Sequence, residues 1–308
     1  MKNLTPGAGP LPAEEDVKCS GSTMHPVRVS VIMLTVNRPQ YIVRAMESIR
    51  SQTVSDWELI VVHDGPNPQI EAILREWEKR EPRLRYFHRL QKGNIAEAIN
   101  FGIRQARGPY IAILDDDDYW RIPEKLGMQI RFLEEHPDYV GCGGGAVCVG
   151  PDNAETISYC KPETDDGIKA RALLANPIIH CTVLYRRDAA WKVGLYDETL
   201  AGFQDWDFFL KLGQVGKLCN FAEYFVAYQI WEGGGSFEAQ KRNTESALRI
   251  VQRHRKQYRG YAPALLLAWM YYAYARLPLL LRKSTFPMLS RLKKSLSARK
   301  DRKERIAH

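Results

Sequence analysis

What this 308-residue chain has little of narrows it first. Its six cysteines (Cys19, Cys142, Cys148, Cys160, Cys181, Cys219) form no C-x-x-C pair, which argues against a structural zinc site and for a reducing compartment. Cys142 and Cys148 fall in a strand-like run and read as small buried hydrophobes. The first 26 residues hold Glu14, Glu15 and Asp16 and no apolar core segment, so they read as a disordered lead-in rather than a secretory signal. Acidic residues thin out toward the other end. From Arg276 onward only Asp301 and Glu304 oppose a series of lysines and arginines, so much of the net charge of +8 is C-terminal. Such a tail attracts polyanions, anionic lipid among them.

Long hydrophobic runs are also scarce. The one candidate, 262–281, has Arg276 as its only charge, but Pro263 and Pro278 interrupt it and tyrosines crowd its middle. A membrane span needs about twenty predominantly apolar residues, and this run is marginal. Arg253, Arg255, Lys256 and Arg259 before it, with Arg282 and Lys283 after it, suit a helix lying in a membrane interface. The competing expectation is a helix that closes the core. No internal repeat is visible.

What is present is ordinary soluble-domain composition, 45% hydrophobic and 26% charged, with a regular pattern. Strand-like runs at 27–36, 57–62, 84–88 and 110–114 alternate with helix-spaced apolar faces at 41–51, 70–77 and 95–106. That alternation predicts a mainly parallel, Rossmann-like sheet flanked by helices. Further on, helices are expected at 123–136, 168–174 and 204–212, and strands at 140–149, 180–185 and 218–230. Gly141-x-Gly143-x-x-Ala146 formally matches a dinucleotide fingerprint. It is followed by more strand and not by a helix, so it is discounted.

The chemistry gathers where the strands end. Asp115-Asp116-Asp117-Asp118 follows the buried run 110–114, and adjacent carboxylates repel unless solvent or a cation neutralises them. Hard divalent cations take oxygen ligands, and ligands collect at the carboxyl ends of strands in open α/β sheets. Thr35 to Arg38, Asp64-Gly65 and Lys92 to Asn94 converge on the same rim. Individually these have plain structural readings: Asp64 as a turn residue, Asn94 as a helix cap. Together they describe a nucleotide pocket.

These residues resemble the opening of the family 2 inverting glycosyltransferases of the GT-A fold. The likeness lies in Val29-Ser30-Val31-Ile32 with Thr35-Val36-Asn37-Arg38, and in Glu58 to Val62 with Asp64-Gly65. It continues through Asn100-x-Gly102 and Ala106-x-Gly108-x-Tyr110-Ile111. It is most specific in Leu114-Asp115-Asp116-Asp117-Asp118-x-Trp120 with Pro123, Lys125-Leu126 and Gln129. Val193-Gly194-x-x-Asp197-Glu198 and Gly202-x-Gln204-Asp205-Trp206-Asp207 match its acceptor side, and coverage runs over about residues 27–235. The resemblance implies a nucleotide-sugar site of Thr35, Val36, Asn37, Arg38, Asp64, Asn94, Asp115 and Asp116. Within it Asp64 would take the uracil-like base, and Asp117 with Asp115 would hold Mn²⁺ or Mg²⁺. Asp205 stands at the catalytic-base position, with a simple helix N-cap carboxylate as its plain reading. Gln204, Trp206, Asp207 and Trp231 are acceptor-side candidates; His180 is either a metal neighbour or a core histidine. Two departures, Lys92-Gly93-Asn94 for Asn-x-Gly and Gln204 for Glu, bear on donor detail.

The expected organisation is a lead-in (1–26), a GT-A domain (27–240, its nucleotide-binding half 27–120 and acceptor half 121–240), and C-terminal helices with a basic, membrane-associating tail (241–308). The expected partners are a nucleotide-sugar donor, a glycan or lipid-linked acceptor and an anionic membrane surface, not nucleic acid. The expected location is cytoplasmic, at the inner face of the membrane. A sugar nucleotidyltransferase would want a glycine-rich phosphate loop where Thr35-Val36-Asn37-Arg38 stands. A non-enzymatic membrane adaptor is the other alternative.

Overall fold

The computed structural model describes residues 26–89, 93–230 and 237–277. The first half alternates β1 (Val29–Thr35), α1 (Pro39–Arg50), β2 (Trp57–Asp64), α2 (Pro68–Arg80), β3 (Leu84–Arg89), α3 (Ile95–Gln105) and β4 (Tyr110–Ile113). Local chemistry starts each helix. Pro39 and Pro68 supply first-turn φ angles, and the Asn67 side chain accepts from the backbone N–H of Gln69 and Ile70. Asn94 and Glu97 cap α3 reciprocally, an arrangement whose N-cap alone contributes about 1 kcal/mol.

Alternate strand residues serve opposite faces of the sheet. Val31, Met33, Leu59 and Val61 pack with Ile42, Met46, Ile49, Ile70 and Leu74 of α1 and α2. Their neighbours Ile32, Ile60 and Val62 pack with Ile99 and Ile103 of α3 on the other side. Both faces are covered, so these strands are apolar throughout and not alternating.

After β4 come β5 (Tyr119–Trp120), α4 (Lys125–Glu135), β6 (Tyr139–Val149), β7 (Glu155–Tyr159), α5 (Asp165–Arg171), a 3₁₀ turn (His180–Thr182), β8 (Leu184–Arg186), α6 (Arg187–Lys192), α7 (Gln204–Leu212), β9 (Lys217–Gln229), α8 (Phe237–Arg253) and α9 (Tyr261–Arg276). The strand order is β3-β2-β1-β4-β8-β6-β9-β5, with β7 beside β6. Here the expectation of a mainly parallel sheet needs correction. β8 runs antiparallel to β4 and β6, β7 to β6, and β5 to β9, so the sheet is mixed. Parallel pairing needs a crossover connection between neighbouring strands, and beyond β4 the chain no longer supplies one at each step.

Several elements depart from the sequence reading, the short β5 among them. The stretch expected as one strand over 180–185 is a 3₁₀ turn followed by the short β8, and β7 and α6 were not anticipated. The strand β7 is mostly exposed, so burial leaves no alternation to read. The glycines of β6 serve packing: a Cβ at Gly144 would lie 2.3 Å from the Phe225 ring, and one at Gly143 2.5 Å from Asn220.

A third cluster joins α7 to the C-terminal helices through Trp206, Leu210, Leu248, Ile250, Val251, Ala264 and Ala268. The helix in the expected 262–281 segment is α9, and 278–281 lie outside the described residues, as do 1–25, Lys92 and Trp231. Among the described residues no helix is long and apolar enough to cross a membrane. Helix α9 buries its small residues Ala264, Ala268 and Ala275 and exposes Leu266, Trp269 and Met270.

Candidate active site

The parallel half of the sheet aligns its strand ends. Thr35 pairs in register with His63, which places Asp64 one residue further along the same rim, and Leu114 N–H still bonds Ile32 as the acidic loop begins. The positive φ of Gly65 (109°) turns the chain directly after Asp64, a conformation suited to glycine. The Asp64 carboxylate is buried, accepts the Gly93 N–H at 3.1 Å and faces the Arg89 guanidinium at 3.4 Å. Asn94 is spent largely on capping α3, and its amide also reaches the Glu198 carbonyl at 2.6 Å.

Each carboxylate of the acidic loop has a different partner. Asp116 accepts the Thr35 hydroxyl at 2.7 Å and Arg38 at 2.9 Å; the same Arg38 nitrogen lies 3.1 Å from Asp117. Arg38 therefore turns toward the acids. Val36 is half-buried and Asn37 exposed beside it. Asp118 is buried and accepts the Gln229 N–H at 2.8 Å, pinning the loop to the end of β9. Arg44, on α1, donates to the Asp117 carbonyl at 2.9 Å and to Gln229 at 3.1 Å, with its guanidinium over the Tyr119 ring.

The electrostatics are those of crowded, partly dried acids. Burial pushes the Asp116 carboxyl up to about 6 against the pull of the Thr35 hydroxyl and Arg38. Asp115 is raised first by burial; His180 and Arg38 oppose the rise, and the negative charges of Asp117 and Asp205 add to it. Asp118 is raised well above the ordinary carboxylate range by burial and by Asp115 and Asp117.

Ligand atoms of Asp115, Asp118 and Cys181 lie within 4.8 Å of one another, and the buried Oδ2 of Asp118 has no hydrogen-bond partner. Burial raises the Cys181 thiol well above its usual range, and a soft sulfur is not the ligand a hard cation selects. The remaining donors are carboxylate oxygens whose repulsion a cation would relieve. That set fits a hard divalent ion.

Asp205 approaches this cluster from the far half of the chain, close enough for its charge to act on Asp115. It lies in the first turn of α7, whose N-cap, Phe203, has a left-handed φ of 55° and no side-chain cap. An acid in that turn is favoured by the helix dipole. The Asn176 amide donates to Asp205 Oδ2 at 2.6 Å. His180, whose charge opposes the rise of Asp115, has its Nε2 3.1 Å from the Tyr196 hydroxyl.

The neighbours of Asp205 are placed differently. Gln204 is half-buried beside it. Trp206 is buried with its indole N–H on the Ala172 carbonyl at 2.7 Å. Asp207 is fully buried against His254 at 2.8 Å and Arg253 at 2.9 Å. These two engage the fold, not the rim. Burial pushes the Asp207 carboxyl up, but the His254 hydrogen bond, Lys211 and Arg253 outweigh it and hold it below the usual range. Sequence reasoning missed Arg44, Asn176 and Gln229 as parts of the site. Their partners are distant in sequence, and no local pattern marks them.

A mixed sheet with a carboxylate-lined rim, faced by a helix bringing one further acid, defines a GT-A-like α/β fold of the nucleotide-sugar transferase kind. The chain belongs to glycosyl transferase family 2, whose family model matches residues 30–194. It is 30% identical over 207 residues to the uncharacterized glycosyltransferase MJ1057 of Methanocaldococcus jannaschii, covering 66% of this chain and 70% of that one. It is 28% identical over 260 residues to the uncharacterized protein y4gI of Sinorhizobium fredii, covering 81% of this chain but 28% of that longer protein. Among solved structures, a mannosyltransferase of Pyrobaculum calidifontis in complex with GDP-Man and Mn²⁺ superposes with a TM-score of 0.60 at 16% identity, covering 88% and 83% of the two chains. S. aureus TarS 1-349 gives 0.59 at 18%, covering 82% and 76%. At these identities the two structures speak to the fold. The protein is an enzyme, a glycosyltransferase.

Proposed function

We propose that this enzyme transfers a sugar from a UDP-sugar, with inversion and divalent-metal dependence, to a hydroxyl of a glycan or lipid-linked acceptor, in the assembly of a surface polysaccharide or lipopolysaccharide. The observation that carries this reading is the carboxylate-lined rim itself, where Thr35 and Arg38 hold Asp116, Arg38 also reaches Asp117, and Asp118 is tied to Gln229 at the end of β9. Asp205, ninety residues beyond Asp115, is the separate acid that the resemblance offers as the base.

The resemblance gives Asp115 and Asp117 as the residues that would hold Mn²⁺ or Mg²⁺, whereas the ligand atoms lying together are those of Asp115, Asp118 and Cys181, with Asp117 on Arg38. The ion would supply Lewis-acid stabilisation of the departing diphosphate. The likeness to a fold solved with GDP-Man and Mn²⁺, and to TarS solved with UDP and UDP-GlcNAc, supports a nucleotide-sugar with metal at this rim. Asp64 would take the base, Thr35 to Arg38 and Asn94 would line the nucleoside, and Asp116 would face the ribose. Arg38, now between Asp116 and Asp117, would turn to the diphosphate once the acids are otherwise neutralised. In the transfer the acceptor oxygen forms the new bond to the anomeric carbon, and its proton passes to Asp205. The old bond from that carbon to the diphosphate oxygen breaks, and its electron pair leaves with the nucleotide. Gln204 would help seat the acceptor.

The reading extends to location. Residues 27–240 form the catalytic unit and 241–308 an extension that docks on the cytoplasmic face of a membrane. Exposure of Leu266, Trp269 and Met270, while α9 buries alanines, supports that, as does the basic sequence after it. The deciding experiment screens UDP- and GDP-sugars for Mn²⁺-dependent nucleotide release by wild type, Asp117→Ala and Asp205→Asn. Loss of binding in the first and of turnover in the second supports the mechanism; full activity in either overturns it.

A further inference from the structure

We infer that Asn176 is a positioning residue for glycosyl transfer, one that locks the Asp205 carboxylate in the orientation from which its other oxygen takes the acceptor proton. The inference rests on Asp205 being the base. The amide nitrogen of Asn176 lies 2.6 Å from Asp205 Oδ2. Which end of the amide faces the acid is decided by geometry, because Asn176 Oδ1 accepts the Ile178 N–H at 3.3 Å. A flipped amide would set its oxygen against the carboxylate and lose the turn bond as well.

The segment carrying Asn176 is itself held. Pro177, Ile178 and Ile179 are buried, and the Pro177 carbonyl accepts from Asn220 at 3.1 Å. The 3₁₀ turn that follows is closed by the Thr182 hydroxyl, which donates to the Ile179 carbonyl at 2.7 Å and accepts the Gly144 N–H at 3.0 Å. Asn176 therefore rides on the sheet and not on a free loop. Among the described residues no other side chain donates to the Asp205 carboxylate.

A carboxylate rotating about its last bond offers either oxygen in many directions, whereas proton transfer needs one lone pair aimed at one hydroxyl. A charge-assisted hydrogen bond on Oδ2 removes that freedom. Orientation matters because misplacing a reacting group by about 1 Å can cost roughly a hundredfold in rate.

The test uses the full chain and whichever UDP- or GDP-sugar gives Mn²⁺-dependent nucleotide release with wild type. Asn176→Ala is expected to lower kcat about tenfold to a hundredfold, with donor KM and melting temperature unchanged. Asn176→Ser, which keeps a donor at the site, should recover part of the loss. Asn176→Asp, isosteric but repelling, should recover none. In the Asp205→Asn background Asn176→Ala should add nothing, since the two act through one group. Wild-type kcat in Asn176→Ala, or equal loss in both backgrounds, overturns the role of Asn176. An active Asp205→Asn instead overturns the base assignment beneath it.

Discussion

His254 Nε2 lies 2.8 Å from Asp207 Oδ1, both buried, and this contact bolts α7, the helix that carries Asp205, to the residue that directly follows α8. Arg253, the last residue of α8, bridges Asp207 at 2.9 Å and Asp197 at 2.7 Å. Of the two acids in the first turn of α7, Asp207 thus sets the helix against its neighbour.

Removing one partner of a buried charged network leaves the others uncompensated, typically at about 3–5 kcal/mol. Asp207→Ala is expected to lower stability by that order in urea denaturation. Because the carboxyl is held below its usual value of 3.8, its contribution is present above about pH 4 and is lost as pH falls through the folded value. The difference between wild type and Asp207→Asn should therefore narrow below pH 4. A variant as stable as wild type at pH 7 would remove the bolt from this account.

Asp117→Ala and Asp205→Asn should fail differently. The first should abolish the Mn²⁺-dependent part of nucleotide binding in calorimetry. The second should bind the donor normally and lose about 10² to 10⁴-fold in turnover, the usual contribution of base catalysis. Chelation should reproduce the first phenotype. Identical defects in both would contradict the division of labour.

Helix α9 presents Leu266, Trp269 and Met270 outward on neighbouring turns, at 64%, 49% and 58% exposure. Burying even one large apolar side chain contributes about 1.5–3 kcal/mol. The triple change to glutamate should weaken sedimentation with phosphatidylglycerol vesicles by about tenfold or more, and wild type should bind phosphatidylcholine vesicles less well. Unchanged binding by the variant, or concentration-dependent dimers of wild type without lipid, would rule out the membrane reading of this face.

Lys125 is fully buried behind the acidic loop, its Nζ 2.7 Å from Gln129 Oε1 and 4.0 Å from the Trp120 ring centre. Burial pushes it down to about 7. The native state then sheds a proton that the unfolded chain keeps until about 10.5, so stability rises with pH across that window. Linkage of this size contributes about 2 kcal/mol between pH 7 and 9. Comparing urea midpoints of wild type and Lys125→Met at both pH values checks it: the rise should be present in wild type and missing in the variant. Parallel pH profiles would show that the amine stays charged.

The first four strands and three helices were legible because their signal is local. Apolar periodicity, Pro39 and the cap at Asn94 act within a few residues. The acidic loop was legible for the same reason, as four carboxylates after an apolar run have few cheap places to go. The order of the later strands was not legible, because β6, β8 and β9 choose partners by packing across the sheet, where glycines at 143 and 144 make room for Asn220 and Phe225.

The sequence by itself determined the alternating half, the carboxylate-rich strand end and the family pattern that singles out Asp205. Tertiary structure alone decided that Asp118 would hold Gln229, that Asp207 would turn inward to His254, and that Asn176 would meet Asp205. The physical reason is range. Backbone preferences and hydrophobic period are written along the chain, whereas a hydrogen bond between residues 29 or 111 positions apart exists only once the folded core has brought them together.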